Sequence, residues 1–303
     1  MLLDMAITFE RYGRADRAAA LRLRPGTRAD AARAGAICFD DFRDIAARHG
    51  FDPEVPDAVS AEALAADLFN RDDVYAVVAT LDGEIVGSNF LWEFADIAAV
   101  GPLTVDPDLH DAGVGRRLMK DVLDRAASRG FAGVRLVQVA YHTPSLSLYL
   151  KLGFDVAEPL AVLQGPALNA TIPGHTVRAA RVGDVAACNA LARRVHGHER
   201  RAEVLHALAN HALRVVEHGG RLTGYTTGIG FFGHTVAETN SDLEALIGAA
   251  ESFPGPGFLA PTRNGDLMRW CLDHGLRTVQ PMTLMTPGLY KTPAGAFLPS
   301  ILY

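Results

Sequence analysis

The sequence predicts an α/β fold built as two related domains in tandem, and three observations carry that prediction. Apolar runs of strand length alternate with stretches whose apolar residues recur at helical spacing. One run, residues 97–105, stops at Asp106-Pro107 and passes through a glycine-bearing turn into a helical pattern. After a stretch rich in Pro and Gly at 164–174, the same succession of signals begins again.

Residues 21–24 read as a short strand, followed by Pro25-Gly26-Thr27 and by Asp30, which suits the cap of a helix reaching about residue 48. A second helix is expected over 61–69. Runs at 74–81 and 85–92 flank Asp82-Gly83, a dipeptide that tolerates the positive φ of a two-residue hairpin turn. The run at 97–105 is expected as one strand, ended by a proline that has no N–H for a ladder. Leu118, Val122, Leu123 and Ala126 then repeat at helical spacing over 114–129. A strand at 134–140, a helix from about Ser145 and a strand from Phe154 to about 163 complete the first half.

The second half echoes the first. Arg24 and Asp30 reappear as Arg178 and Asp184, Asp82-Gly83 as Gly219-Gly220, and LYLKLGF (148–154) as WCLDHGL (270–276). From hairpin glycine to helix-ending glycine there are 70 residues in the first copy and 55 in the second, and the shortfall lies where the glycine turn would be. We therefore expect a leader at 1–19, a first domain at 20–165, a linker at 166–175 and a divergent second domain at 176–303.

The turn is HDAGVGRRLM, residues 110–119. Strand, glycine turn and helix N-terminus together present unpaired N–H groups and the positive end of a helix dipole, a seat for phosphate. A Walker loop is excluded because Gly-Lys-Ser/Thr is missing, and a dinucleotide fingerprint because position 118 is Leu. The stretch resembles the pyrophosphate loop of the GNAT (GCN5-related N-acetyltransferase) superfamily, Gln/Arg-x-x-Gly-x-Gly/Ala, with His110 at the Gln/Arg position. Residues 142–154, HTPSLSLYLKLGF, resemble the later motif of that superfamily: Tyr149, Lys151, Gly153 and Phe154 match, while His142 replaces Asn and Ser145 replaces Ala.

The resemblance implies a mixed sheet flanked by helices in each domain, and acetyl-CoA as the donor. Backbone from Asp111 through Ala112, Gly113, Val114 and Gly115 would hold the pyrophosphate, with Arg116 and Arg117 either neutralising it or solvating a helix face. Leu103, Thr104 and Val105 would pair with the pantetheine arm, one amide polarising the thioester carbonyl. Tyr149 would protonate the departing thiolate, or else pack helix on sheet. His142 would touch the pantetheine, act as a base or make a structural hydrogen bond. An amine must lose a proton before attack; Glu93 and, from the second copy, Glu238 with His234 are candidates, against the alternative that each is a surface residue.

At 303 residues the chain can bury two cores, and 49 % hydrophobic with 21 % charged residues is the balance of a globular protein. A net charge of −6 argues against nucleic acid, and no apolar run reaches the ~18 residues of a membrane span. Lys120, Lys151 and Lys291 are the three lysines in an Ala- and Arg-rich chain, a usage that fits GC-rich bacterial coding. Cys38, Cys188 and Cys271 are far apart and fit buried thiols in a reducing cytosol. No His/Cys cluster has metal-ligand spacing. The first expectation is an N-acetyltransferase that moves an acetyl or short acyl group to a small amine in a ternary complex; the alternative is a non-catalytic acyl-CoA or metabolite sensor. Oligomeric state is unknown from the sequence. The aromatic tail, 288–303, is expected to pack against a domain rather than stay exposed.

Overall fold

The computed structural model describes residues 20–93, 96–288 and 290–302, so the leader expected at 1–19 lies outside the described residues. The chain forms two compact units: Met1–Glu93 with Val100–Gly130, and Phe94–Ala99 with Phe131–Tyr303. Among the described residues no helix is long and apolar enough to cross a membrane.

In the first unit, β1 (Arg22–Pro25), β2 (Val74–Leu81) and β3 (Glu84–Trp92) are antiparallel neighbours. Asp82 (φ 52°) and Gly83 (φ 90°) make the hairpin turn that the dipeptide predicts. The run at 97–105 is not one strand. It is divided into β4 (Ile97–Val100) and β5 (Thr104–Val105), and β5 pairs with β3. The Gly101 N–H reaches the Phe90 carbonyl, the next peptide is a cis Gly101–Pro102 bond, and Pro102 offers no donor; apolar periodicity alone does not show that interruption.

Helices α1 (Ala31–His49) and α2 (Ala58–Asn70) cross closely because Gly35 has no side chain: a Cβ there would lie 2.5 Å from the Glu62 Cα. Ile37 of α1 packs with Val78 and Ile85, and Cys38 with Val55 and Ala61. Helix α3 (Val114–Arg129) buries Val114, Leu118, Met119, Val122 and Ala126, one stripe at 3–4-residue spacing.

In the second unit, β4 runs parallel to β6 (Gly133–Val139). Helix α4 (Thr143–Lys151) leads to β7 (Phe154–Gln164). The second copy then begins with β8 (His175–Ala179), α5 (Val185–His196), α6 (Arg201–Ala209), β9 (Arg214–His218) and β10 (Arg221–Thr226). It continues through β11 (Thr235–Ala237), α7 (Asn240–Gly248), β12 (Phe258–Pro261), α8 (Gly265–Asp273), β13 (Arg277–Pro287) and β14 (Ala296–Leu298). One antiparallel sheet has the order β14-β11-β10-β9-β8.

The other sheet exchanges strands between the copies. β13, from the second copy, lies between β6 and β7 of the first: Leu284 faces Val137 on one side and Glu158 on the other. β12, also from the second copy, pairs with β7, Phe258 opposite Leu163. Residues 131–164 therefore fall in one compact unit with the second copy, while the sequence echo places them in the first.

The stretch expected as a linker is packed: Leu168 and Ile172 lie against the core of Leu246, Phe258 and Leu267. The tail supplies β14, which pairs with β11 and buries Phe297. Cys38, Cys188 and Cys271 are free and buried, each thiol pushed up to about 12 by burial.

Both copies open with the same clasp. Arg24 donates two hydrogen bonds to Asp30 (2.7 and 2.8 Å), and Arg178 two to Asp184 (2.7 and 2.9 Å). Each aspartate also receives an N–H at the start of its helix, Thr27 or Arg181. The Arg24 bonds hold the Asp30 carboxyl down at about 2. A carboxyl lowered on folding contributes stability above its ordinary value of 3.8 that is lost as pH falls toward 2. Asp30→Asn should cost about 1–2 kcal/mol at pH 7, and the gap to wild type in thermal melts should narrow as pH falls from 3.8 and close near 2; a gap unchanged down to pH 2 would contradict the clasp.

Candidate functional site

The glycine turn is built from β5 outward. Asp106 starts a 3₁₀ turn at Pro107–Leu109, its side chain accepting from the Asp108 N–H (3.2 Å) and from Arg33 (2.7 Å). Leu109 is buried and anchors the turn. Asp111 (φ 65°) and Gly113 (φ 84°) are left-handed, which swings the chain back onto the axis of α3. Gly113 is the N-cap of α3: no side chain caps the helix, and no acidic residue lies in its first turn. The opening N–H groups are thus left to a ligand or to water.

In the second copy the helix that follows β11 is capped from within. Thr239 caps α7, and Asp242 receives the Thr239 N–H (3.0 Å), the Thr239 hydroxyl (2.6 Å) and the Thr223 hydroxyl. A buried carboxylate of its own chain sits where the first copy leaves the dipole open.

The two arginines separate. Arg117 donates to the Leu21 carbonyl (2.8 Å), so it ties α3 to the chain before β1. Arg116 is exposed. Leu103 is half-buried; Thr104 is buried and shares a hydrogen bond with Ser88 (3.3 Å), and Val105 is buried.

One participant was missed in the sequence. Asp41, on α1, accepts the Val105 N–H (2.9 Å) and the His110 Nε2–H (2.9 Å), with its side chain 6 % exposed. It lies one turn from Ile37 and Cys38, both buried, so an acid on the apolar face of α1 was a legible signal for a polar partner. The hydrogen bond to Asp41 raises the His110 pKa.

His142 is the N-cap of α4, and its Nδ1 shares a 2.6 Å hydrogen bond with the Ser145 hydroxyl. Tyr149 is buried with its ring 5.9 Å from that of Phe154. Glu93 receives Arg125 in a two-pronged pair (2.7 and 3.1 Å), with Arg129 at 3.7 Å. Glu238 joins Arg194 (2.5 Å) and Arg221 (2.7 Å), the Arg221 bond lowering its pKa. Either glutamate would have to leave an ion pair to act as a base. His234 is not in an exposed turn: it is fully buried, its Nε2 is 3.1 Å from that of His196, and burial pushes its pKa well down. Among the described residues no group of His, Cys, Asp and Glu is placed to hold a metal ion.

The sequence profile of the Acetyltransferase (GNAT) family matches residues 39–154. Among curated proteins none matches the sequence. Solved structures share the fold along nearly the whole chain. A GCN5-related N-acetyltransferase from Sphaerobacter thermophilus is 18 % identical with a TM-score of 0.62, covering 90 % of this chain and 97 % of that one. A Pyrococcus horikoshii protein assigned as an acetyltransferase is 16 % identical, TM-score 0.65, covering 94 % and 93 %. A tandem GNAT protein from the clavulanic acid biosynthesis pathway is 15 % identical, TM-score 0.53, covering 91 % and 99 %. The chain has the tandem GNAT fold.

The His110–Asp41 pair sets a pH dependence. A histidine raised on folding contributes stability that is complete below its ordinary value of 6.5 and is lost as pH rises through the raised one. In melts from pH 6 to 9, His110→Gln should flatten that decline, and a proton-resolved titration should place His110 above 6.5; an unshifted titration would contradict the pair.

Proposed function

We propose, from the premise that residues 39–154 are a GNAT-family acetyltransferase domain, that the chain transfers an acetyl or short acyl group from acyl-CoA to a primary amine of a small molecule. The observation that carries the proposal is the uncapped N-terminus of α3 behind Gly113, set against the internally capped α7 of the second copy. The first copy has kept a seat for a doubly charged pyrophosphate, and the second has filled its own.

The N–H groups that open α3 behind Gly113 hold the pyrophosphate, with Ala112 kept in the turn by its bond to the Leu109 carbonyl (3.2 Å), and Arg116 adds charge. The pantetheine arm pairs with Leu103–Val105, where an amide stabilises the oxyanion as a neutral amine attacks the thioester carbon. Collapse of the tetrahedral adduct expels the CoA thiolate, and the motif resemblance assigns its proton to the Tyr149 phenol. His142 with Ser145 shapes the start of the helix that carries Tyr149. No metal enters this scheme. The second domain keeps the fold without a donor site, and the Arg- and Ala-rich usage with three separate buried thiols supports a bacterial, cytoplasmic protein.

Acetyl-CoA at 100 times its dissociation constant should stabilise the protein by roughly 2.7 kcal/mol, a rise of several degrees in melting temperature. A Gly113→Pro, Gly115→Pro variant should lose that rise, and its persistence would move the donor site elsewhere. In an amine screen for thiol release, Tyr149→Phe should lower turnover by about 100-fold while leaving acetyl-CoA binding in place; an unaffected rate would favour a sensor.

A further inference from the structure

The amide that an acyl-CoA arm would use on β5 is already engaged. The Asp106 N–H turns toward β3 and donates to the Val86 carbonyl (3.0 Å), so the neighbouring Val105 N–H points away from β3. There it donates to Asp41 Oδ2 (2.9 Å), and the other oxygen of the same carboxylate receives His110 Nε2–H (2.9 Å). A single N–H cannot serve this carboxylate and a pantetheine carbonyl in full at once.

We propose that Asp41, held by His110, is an internal competitor of acyl-CoA: the carboxylate covers the Val105 amide in the empty site, and the donor binds by displacing it. This rests on the donor reading above. The displacement needs only a side-chain rotation, because α1 has a second, separate tie to the same turn. Arg33, two helical turns before Asp41, bonds Asp106 (2.7 Å) and the Ile85 carbonyl (3.3 Å), so the helix stays in place when Asp41 lets go. The other charges that act on His110 come from the same helix, Asp44 and Arg48, which pair with each other at 2.6 Å.

The consequence is a ranked affinity. A donor that must first open a closed state binds more weakly by the fraction of molecules already open. Asp41→Ala removes the cover and should tighten acetyl-CoA binding by about tenfold. Asp41→Asn keeps a neutral acceptor for the Val105 N–H, a weaker bond than a charged one, and should fall between wild type and Asp41→Ala. Isothermal titration of the full chain with acetyl-CoA reads the series, and ligand-free melts show which variants are folded. Should Asp41→Ala fail to fold, Asp41→Asn decides: tighter binding than wild type supports the clasp. Equal or weaker binding in the folded variants overturns it and leaves the donor reading standing. Absence of binding in wild type and variants alike overturns both.

Discussion

The second unit depends on β13 lying between β6 and β7. A strand pairing along both edges satisfies its backbone donors and acceptors within one sheet, and here the two neighbours belong to the other copy of the repeat. Without β13, the antiparallel edge of β6 and one edge of β7 would be open ladders, and open ladders recruit other chains. The exchange is reciprocal, since β12 closes the other side of β7. It gives a physical reason for the second copy to persist: it supplies two strands that pair with β6 and β7 of the first.

The same contrast explains the difference between the helix termini. Helices α3 and α7 follow equivalent strands, and both begin with unsatisfied N–H groups and a positive dipole end. Helix α7 settles that demand with Thr239 and Asp242 and is nine residues long; α3 is sixteen and leaves it open behind a left-handed glycine. A chain that must bind an anion keeps that position free of its own carboxylates, and one that need not is stabilised by filling it.

Much of this was legible in the sequence because it is local. The echo of Arg24 and Asp30 in Arg178 and Asp184 marks the same salt-bridged strand-to-helix corner, and Asp82-Gly83 and Gly219-Gly220 both take the left-handed turn that their residues favour. The glycine turn was readable for the same reason. What was not legible is long-range: no periodicity in 277–287 says that this strand is inserted between strands from more than a hundred residues earlier. The break at Gly101-Pro102 was hidden inside an apolar run, and His234 was misplaced because a polar residue in an apolar stretch reads as exposed until its partner, His196, is known. Asp41 is the instructive omission. Its neighbours at helical spacing are buried, and an acid on a buried face needs hydrogen-bond donors from elsewhere in the fold.

Magnitudes decide whether such an acid can sit in a working donor site. A hydrogen bond to a charged group is worth about 1.5–3 kcal/mol net, whereas a ligand of micromolar affinity gains about 8 kcal/mol on binding. On the proposed reading, the pyrophosphate seat and the rest of the pantetheine ladder would outweigh the loss of one Asp41 contact. In the empty site the same contact satisfies a buried amide that would otherwise cost about 1–3 kcal/mol if left unpaired. On that proposal Asp41 trades donor affinity for the stability of the domain without its ligand, with one carboxylate oxygen on the Val105 N–H and the other on His110.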